Sequence, residues 1–172
     1  MALVAILTFG ILREDYEHPQ IQEFIERADS VFGAAAQMPG FVRLIDGKSN
    51  AGESLSSFVR PEQRERVAET LSLWTNLESV FAFAYYRLHA EALSKRKAWF
   101  VKPEWPTYVL WWIGDNHIPD WTEAYHRQVE LHHHGSTAGA FDFKQPFDAV
   151  GNLSQIDRTI VKSLISRSQT MY

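Results

Sequence analysis

The sequence predicts an α+β fold with the ferredoxin-like order strand, helix, strand, strand, helix, strand. A continuous apolar run over residues 3–10 has the length of a buried strand. Apolar residues then recur at helical spacing from Ile21 to Ala35. Residues 67–75 alternate instead, with Leu71 on one side and Thr70 and Ser72 on the other. The period of the apolar pattern therefore changes along the chain as this fold requires.

Capping and turn residues set the boundaries of the other elements. Pro19 opens the first helix, because proline is tolerated at the first helical position, and Pro39-Gly40 ends it. Capping boxes at residues 75–78 and 120–123 predict the starts of the second and third helices. The remaining predicted elements are strands over residues 41–45 and 108–113, a polar loop over residues 46–66 and an amphipathic helix over residues 154–168. We expect a domain over residues 1–143 and a C-terminal extension over residues 144–172.

Composition narrows the class of protein. A chain of 172 residues fits one domain, and its 45% apolar and 22% charged residues are ordinary globular values. The net charge of −4 argues against nucleic-acid binding, which normally requires a basic face. The lack of cysteine excludes disulfides, thiolate zinc ligands and cysteine nucleophiles together.

The apolar N-terminal stretch is predicted to be a strand rather than a signal peptide. It has no basic leader and no small-residue cleavage site, and Arg13-Glu14-Asp15 follows it directly. No apolar run of the sequence reaches the ~18 residues that span a bilayer. We therefore expect a cytoplasmic protein without a membrane partner.

The fold also predicts a partner subunit. An open four-stranded sheet with its helices on one face leaves the other face uncovered. Two such sheets commonly bury these faces against each other, so we expect a homodimer.

Two pairs of the form Glu-x-x-His raise the question of a metal site. The first pair is Glu123 and His126. The second pair, Glu130 and His133, follows it by seven residues on the same predicted helix. Carboxylate-bridged centres draw such pairs from different helices and add further carboxylates, which the sequence does not locate. Residues 132–134 are all histidine, but on a helix they point in three directions. We predict no metal site.

The segment of residues 85–113 concentrates four of the six tryptophans, a density that suits either an ordinary core or the wall of an apolar pocket. Tyr85, His89 and Arg96 lie along the helical part and are the candidate catalytic residues. His89 can act as a general acid or base near neutral pH, or it can be a core histidine bonded to a backbone carbonyl, and both interpretations stay open. The predicted substrate contacts are Phe24, Trp74, Phe81, Trp99, Trp111, Trp112 and His117. Adjacent strand residues point to opposite faces, so at most one of the paired tryptophans contacts a ligand.

A set of short motifs runs in order through the chain as far as residue 143. They are Trp74, His89-Ala90-Glu91, Arg96, Trp99-Phe100, Leu110-Trp111-Trp112, His117, Pro119, Glu123-Ala124, Arg127, Leu131, Gly135, Ala140-Phe141 and Phe143. Together these motifs resemble domain-of-unknown-function family 3291, whose members belong to the dimeric α/β-barrel superfamily of proteins similar to antibiotic-biosynthesis monooxygenases. The resemblance covers residues 3–143. In members of this family the first strand often carries polar residues, where this chain has Ala5 and Leu7, which indicates a drier pocket.

The superfamily includes cofactor-free monooxygenases of secondary metabolism, polyketide cyclases and haem enzymes. The resemblance therefore implies a small tailoring enzyme that acts on an apolar conjugated molecule without a metal or organic cofactor. Its reaction would be a ring-forming cyclisation or cycloaddition, or a cofactor-free mono-oxygenation. Two alternatives stay open: a haem enzyme with His89, His117 or His126 as axial ligand, and a non-catalytic protein that binds a small molecule in the same pocket.

Overall fold

A computed structural model describes residues 2–47, 59–85, 95–114 and 116–169. Its strands are β1 (Leu3–Ile11), β2 (Phe41–Leu44), β3 (Val67–Trp74) and β4 (Tyr108–Ile113). Its α-helices are α1 (Pro19–Ala36), α2 (Leu77–Tyr85), α3 (Trp121–His134) and α4 (Arg158–Gln169). Residues 95–99 are also helical, and a 3-10 helix (Pro61–Arg66) lies inside the segment that the sequence predicted as a loop.

The four strands form one sheet in the order β2-β3-β1-β4, and every neighbouring pair is antiparallel. In the centre of the sheet, Leu7 of β1 lies opposite Leu71 of β3 and Val109 of β4. This strand order confirms the predicted ferredoxin-like fold.

Side-chain caps fix the starts of three helices. His18 accepts a hydrogen bond from the backbone N–H of Gln20 at 3.2 Å, and Asp120 accepts one from Glu123 at 2.8 Å. The start of α2 differs from the prediction by one residue, because Asn76 rather than Thr75 accepts from the backbone N–H of Ser79, at 2.8 Å. Each of these side chains satisfies an N–H that the first helical turn leaves without a partner.

One face of the sheet packs against α1 and α2. Val4 and Ile6 of β1 and Leu110 of β4 meet Ala35 of α1 and Leu77 of α2 in one buried cluster. The C-terminal segment closes the β4 edge of this face, where Phe141 and Leu110 exchange backbone hydrogen bonds of 2.8 and 2.9 Å. The indole of Trp112 donates to the carbonyl of Phe147 at 2.7 Å and fastens the same segment.

The other face of the sheet is covered by α3, which corrects the prediction of an uncovered face. Tyr125 and Leu131 of α3 pack in one cluster with Leu7 and Trp111. In a single chain, Leu7 is fully buried and Trp111 is 1% exposed. The sequence argument for a homodimer therefore loses its physical basis. The homodimer stays a prediction, which ultracentrifugation at micromolar concentration tests.

The helix α4 packs on the outer side of α2. Val161 and Leu164 form a small cluster with Ala82, and the guanidinium of Arg158 lies 4.2 Å above the ring of Phe81. No helix among the described residues combines the length and the apolar character needed to cross a membrane.

Candidate functional site

A cavity of about 1580 Å³ separates part of the sheet from α1 and α2. Its floor is the face of the sheet that carries Ile6, Thr8, Thr70 and Ser72. Its other walls come from the inner side of α1, the end of α2 and residues 96–105. The cavity therefore lies where the sheet and the helices diverge, beside the buried cluster that joins them.

Aromatic rings form much of the wall. Phe24 of α1 contacts Trp99 with a ring-centroid distance of 5.7 Å and Phe100 at 5.2 Å, the latter edge to face. On the α2 side, the rings of Trp74 and Phe83 lie 5.4 Å apart. These arrangements are the ones that aromatic pairs favour, so the rings hold one another in place. The result is a fixed apolar surface.

Backbone hydrogen bonds to the end of β1 and to the residues just after it position the wall residues Trp99 and Phe100. The carbonyl of Trp99 accepts from the N–H of Arg13 at 2.8 Å, and the N–H of Val101 donates to the carbonyl of Ile11 at 2.9 Å. Phe100 lies directly over Gly10, where a Cβ atom would approach its ring to 2.6 Å. A side chain at position 10 would displace this part of the wall.

Hydroxyl groups supply most of the polar atoms of the floor. Thr8 and Thr70 face each other across β1 and β3, with 2.6 Å between their Oγ1 atoms. Beside them, Ser72 Oγ accepts a hydrogen bond of 2.9 Å from the indole of Trp74. Neutral donors and acceptors of this kind orient a ligand without imposing a charge on it.

A second group of hydroxyls lies where α2 meets β4. Tyr108 and Tyr85 both line the cavity, and Tyr108 accepts a hydrogen bond of 3.3 Å from the backbone N–H of Phe143. Burial raises the pKa of Tyr108 well above the ordinary tyrosine value, while the N–H of Phe143 acts in the opposite direction. Tyr108 is therefore a neutral phenol at physiological pH.

Basic side chains line another part of the cavity. Arg96, Lys97 and Lys102 all border it, and Arg96 and Lys97 are exposed. Arg13 also borders it and donates to the carbonyl of Lys97 at 2.9 Å. This part of the lining is positive although the chain as a whole carries a net charge of −4.

The structure brings five of the ten predicted site residues to the cavity: Phe24, Trp74, Tyr85, Arg96 and Trp99. Tyr85 is 48% exposed, and Trp99 is almost fully buried. His89 lies outside the described residues.

Four other predicted substrate contacts lie away from this cavity, and their contact with a substrate stays a prediction. Phe81, Trp111, Trp112 and His117 are not among the described residues that line the cavity. Phe81 supports Tyr85 from outside, with 4.5 Å between the ring centroids. Trp112 is directed toward Phe147, and Trp111 lies on the opposite face of the sheet under α3.

Trp111 and His117 instead belong to a polar network around Glu123. The carboxylate of Glu123 accepts from the indole of Trp111 at 3.0 Å and from Arg127 at 3.4 Å, and it pairs with the ring of His117. Glu130 accepts from Thr137 at 2.6 Å. Both acidic members of the Glu-x-x-His pairs thus have structural partners. Within the described ranges, no three His, Cys, Asp or Glu side chains come together as a metal ion would require.

Ala5 and Leu7 also point away from the cavity, into the cluster under α3. The inference of a drier pocket from these two positions was therefore wrong, since Ile6 and Thr8 are the strand residues that border it. Sequence reasoning likewise missed Tyr108, Thr8 and Thr70. The alternation of β3 could have identified Thr70, because it shares a side with Trp74.

The strand order and the cavity define a ferredoxin-like α+β protein with a partly open, mainly apolar cavity beside one sheet face. The sequence profile of the family described as Domain of unknown function (DUF3291) matches residues 3–157. The chain belongs to this family, which confirms the resemblance found in its sequence. The match ends immediately before α4.

Solved structures similar to this chain include SnoaB, a cofactor-independent oxygenase from Streptomyces nogalater. It shares 12% sequence identity and has a TM-score of 0.44, with 70% of this chain and 100% of SnoaB covered. The protein YJCS shares 12% identity with a TM-score of 0.42, with 66% of this chain and 99% of YJCS covered. No curated protein matches the chain.

Proposed function

We propose that this protein is a small tailoring enzyme of secondary metabolism that binds an apolar conjugated molecule between the sheet and α1/α2. The cavity itself is the observation that supports this proposal. Its volume of about 1580 Å³ exceeds the ~300–1,000 Å³ of ordinary ligand sites, so it accommodates a molecule with several rings. The aromatic wall around Phe24, Trp74 and Trp99 favours a flat, unsaturated ligand.

The proposed chemistry is ring closure or mono-oxygenation without a metal or organic cofactor. A rigid aromatic wall catalyses ring closure by holding a flexible substrate in the conformer that reacts. Hydrogen bonds to an oxygen that gains negative charge lower the barrier further. Tyr85 and Arg96 border the cavity and are the proposed donors. His89 is proposed as a general acid or base from its place in the sequence alone.

Haem enzymology is the weaker candidate. His117 is paired with Glu123, and His126 is exposed on α3, so both lie on the side of the sheet opposite the cavity. This leaves His89 as the remaining proposed axial ligand. Reconstitution of the purified protein with haem tests the alternative, and a Soret band that His89→Ala abolishes would favour it over our proposal.

Deletion of the gene in the source organism, followed by untargeted comparison of metabolites, tests the proposed function. We expect one compound to accumulate and another to disappear. Equal elemental composition of the two compounds indicates cyclisation. A gain of one oxygen atom with the loss of two hydrogen atoms indicates cofactor-free mono-oxygenation, because the substrate itself then supplies the two electrons that reduce the second oxygen atom of O2 to water. The wild-type gene should restore the product, whereas Ala28→Trp should not, because Ala28 borders the cavity on α1.

Turnover by the purified protein separates an enzyme from a binding protein. We expect the accumulated compound to be converted without any added cofactor, in air for the mono-oxygenation. A compound that binds but is recovered unchanged would contradict catalysis and support the non-catalytic alternative. A deletion strain with unaltered metabolites would remove the support for both the enzyme and the binding protein.

A further inference from the structure

The charge of the cavity lining is opposite in sign to that of the whole chain. Among the described residues that border the cavity, six carry a basic side chain and three carry a carboxylate. The carboxylates are those of Asp29, Glu69 and Glu104, and Glu69 already accepts a hydrogen bond from the hydroxyl of Tyr125. The cavity therefore attracts anions, although the chain carries a net charge of −4.

Only two of the six basic side chains are neutralised by a nearby acid. Arg27 pairs with Glu23 at 3.1 Å, and Arg60 pairs with Glu62 at 3.7 Å. The other four lie close together, because residues 96–102 follow one another and are hydrogen-bonded to residues 11 and 13. These four pair with no carboxylate of the described residues, and all are exposed: Arg13, Arg96, Lys97 and Lys102.

Hydrogen bonds fix the position of Arg13 within this group. Its Nε donates to the carbonyl of Lys97 at 2.9 Å, and its backbone N–H donates to the carbonyl of Trp99 at 2.8 Å. Its own carbonyl accepts from Arg66 at 2.9 Å, and Arg66 also occupies the carboxylate of Asp15 at 2.7 Å. Because a backbone carbonyl takes the Nε of Arg13, the two terminal nitrogens of its guanidinium are the donors that a ligand can use.

The aromatic wall begins directly beside this guanidinium. Trp99, whose carbonyl holds Arg13, has its ring 5.7 Å from that of Phe24, and the ring of Phe100 lies 5.2 Å from Phe24. A ligand whose rings lie against this wall can therefore place a group at its end next to Arg13. The planar fork of two terminal nitrogens matches the two oxygens of a carboxylate.

We propose that the molecule bound in the cavity carries a carboxylate that pairs with Arg13, while Arg96, Lys97 and Lys102 add to the positive potential around it. The proposal rests on the proposed function and narrows its substrate class to conjugated molecules that end in a carboxylic acid. Because Arg13 is exposed, water and salt screen the ion pair, so its effect on affinity is modest.

A matched pair of fluorescent probes tests the proposal: anthracene-2-carboxylate and the neutral anthracene-2-carboxamide, which has the same rings and nearly the same shape. We expect the wild-type protein to bind the carboxylate about fivefold more tightly at low salt, as one exposed ion pair supplies. The preference should shrink between about 0.01 M and about 1 M salt, because the screening length falls from about 30 Å to about 3 Å. In Arg13→Gln the preference should disappear while the affinity for the carboxamide persists.

Arg27→Gln is the matched control, since Arg27 also borders the cavity but is already paired with Glu23. This variant should keep the wild-type preference. The ratio of the two affinities reports on the charge of the probe, because a general loosening of the cavity affects both probes.

Three results would overturn the carboxylate proposal and leave the apolar site intact. The first is a wild-type protein that binds both probes equally or with a preference that does not depend on salt. The second is an unchanged preference in Arg13→Gln. The third is an equal loss of preference in Arg13→Gln and Arg27→Gln, which would assign the effect to net charge alone. If neither probe binds, the proposed function fails as well.

Discussion

The two faces of this sheet differ in how completely they are filled. On the face under α3, Leu7, Leu71 and Trp111 are at most 1% exposed and pack in one continuous cluster. On the face under α1 and α2, the neighbouring positions Thr8 and Thr70 carry hydroxyl groups and border the cavity. Because side chains alternate along a strand, adjacent residues contribute to the packed cluster on one face and to the cavity lining on the other.

The largest expected contrast is in stability. Leu7→Ala should lower the free energy of unfolding by about 2–5 kcal/mol, because Leu7 is fully buried and its truncation leaves a void. Ile6→Ala is the matched variant on the other face. Ile6→Ala should lower the free energy of unfolding by less, because Ile6 already borders a cavity and its truncation removes fewer contacts. Urea unfolding of both variants measures the difference, and equal costs would show that the two faces are equally well packed.

Enlarging an alanine probes the same contrast from the opposite direction. Ala5 is fully buried under α3, so Ala5→Trp should overpack that cluster and cost about 1–3 kcal/mol or more. Ala28 borders the cavity, so Ala28→Trp should cost less than ~1 kcal/mol, mostly from helix propensity. Thermal or urea unfolding distinguishes these results. A large loss of stability in Ala28→Trp would mean that the space is smaller than the structure shows.

Alkaline pH should destabilise the cavity face through Tyr108. Its pKa is raised on folding, so the unfolded chain loses this proton first, near the ordinary tyrosine value of about 10. The contribution of the protonated Tyr108 to the free energy of unfolding is therefore present in full below that pH. It is lost as the pH rises further, by at most about 1.4 kcal/mol per pH unit for one group. Tyr108→Phe should show a shallower alkaline limb in unfolding free energy against pH. An unchanged slope in Tyr108→Phe would show that other groups cause the loss of stability at alkaline pH.

The smallest expected effect concerns the threonine pair of the cavity floor. Thr8→Val removes one partner of the 2.6 Å hydroxyl contact with Thr70, at a cost of about 0.5–1 kcal/mol. Thr122→Val, at an exposed position of α3, is the control and should be close to neutral. The two unfolding free energies test whether the floor hydroxyls also contribute to stability. An unchanged unfolding free energy in Thr8→Val would show that the floor hydroxyls do not contribute to stability.

The fold was predictable because each element has its own period and its own end signals. The alternation of residues 67–75 gave β3 and its two sides correctly. The sheet face that α3 covers was not predictable, because the apolar stripe of a helix does not show which surface the helix packs against. The two faces of β1 were also hard to distinguish, because apart from Thr8 the run from Leu3 is apolar on both.

The candidate site was only partly predictable for a related reason. Trp74 and Trp99 were identified from their chemistry, but the same criterion selected Trp111 and Trp112, which pack elsewhere. Tyr108 gave no local signal, because its position at the cavity is set by contacts with Phe143, which is distant in sequence. Residues that act through tertiary contacts become visible only when the elements are assembled.

The most direct test of the cavity as the binding site is a fluorescence titration of wild-type protein and Ala28→Trp with anthracene-2-sulfonate. The wild-type protein should bind one molecule per chain in a saturable way. Ala28→Trp, with a native unfolding transition, should lose this binding because the new indole fills the space between α1 and the sheet. Unchanged affinity in the folded variant would contradict the assignment of this cavity as the site.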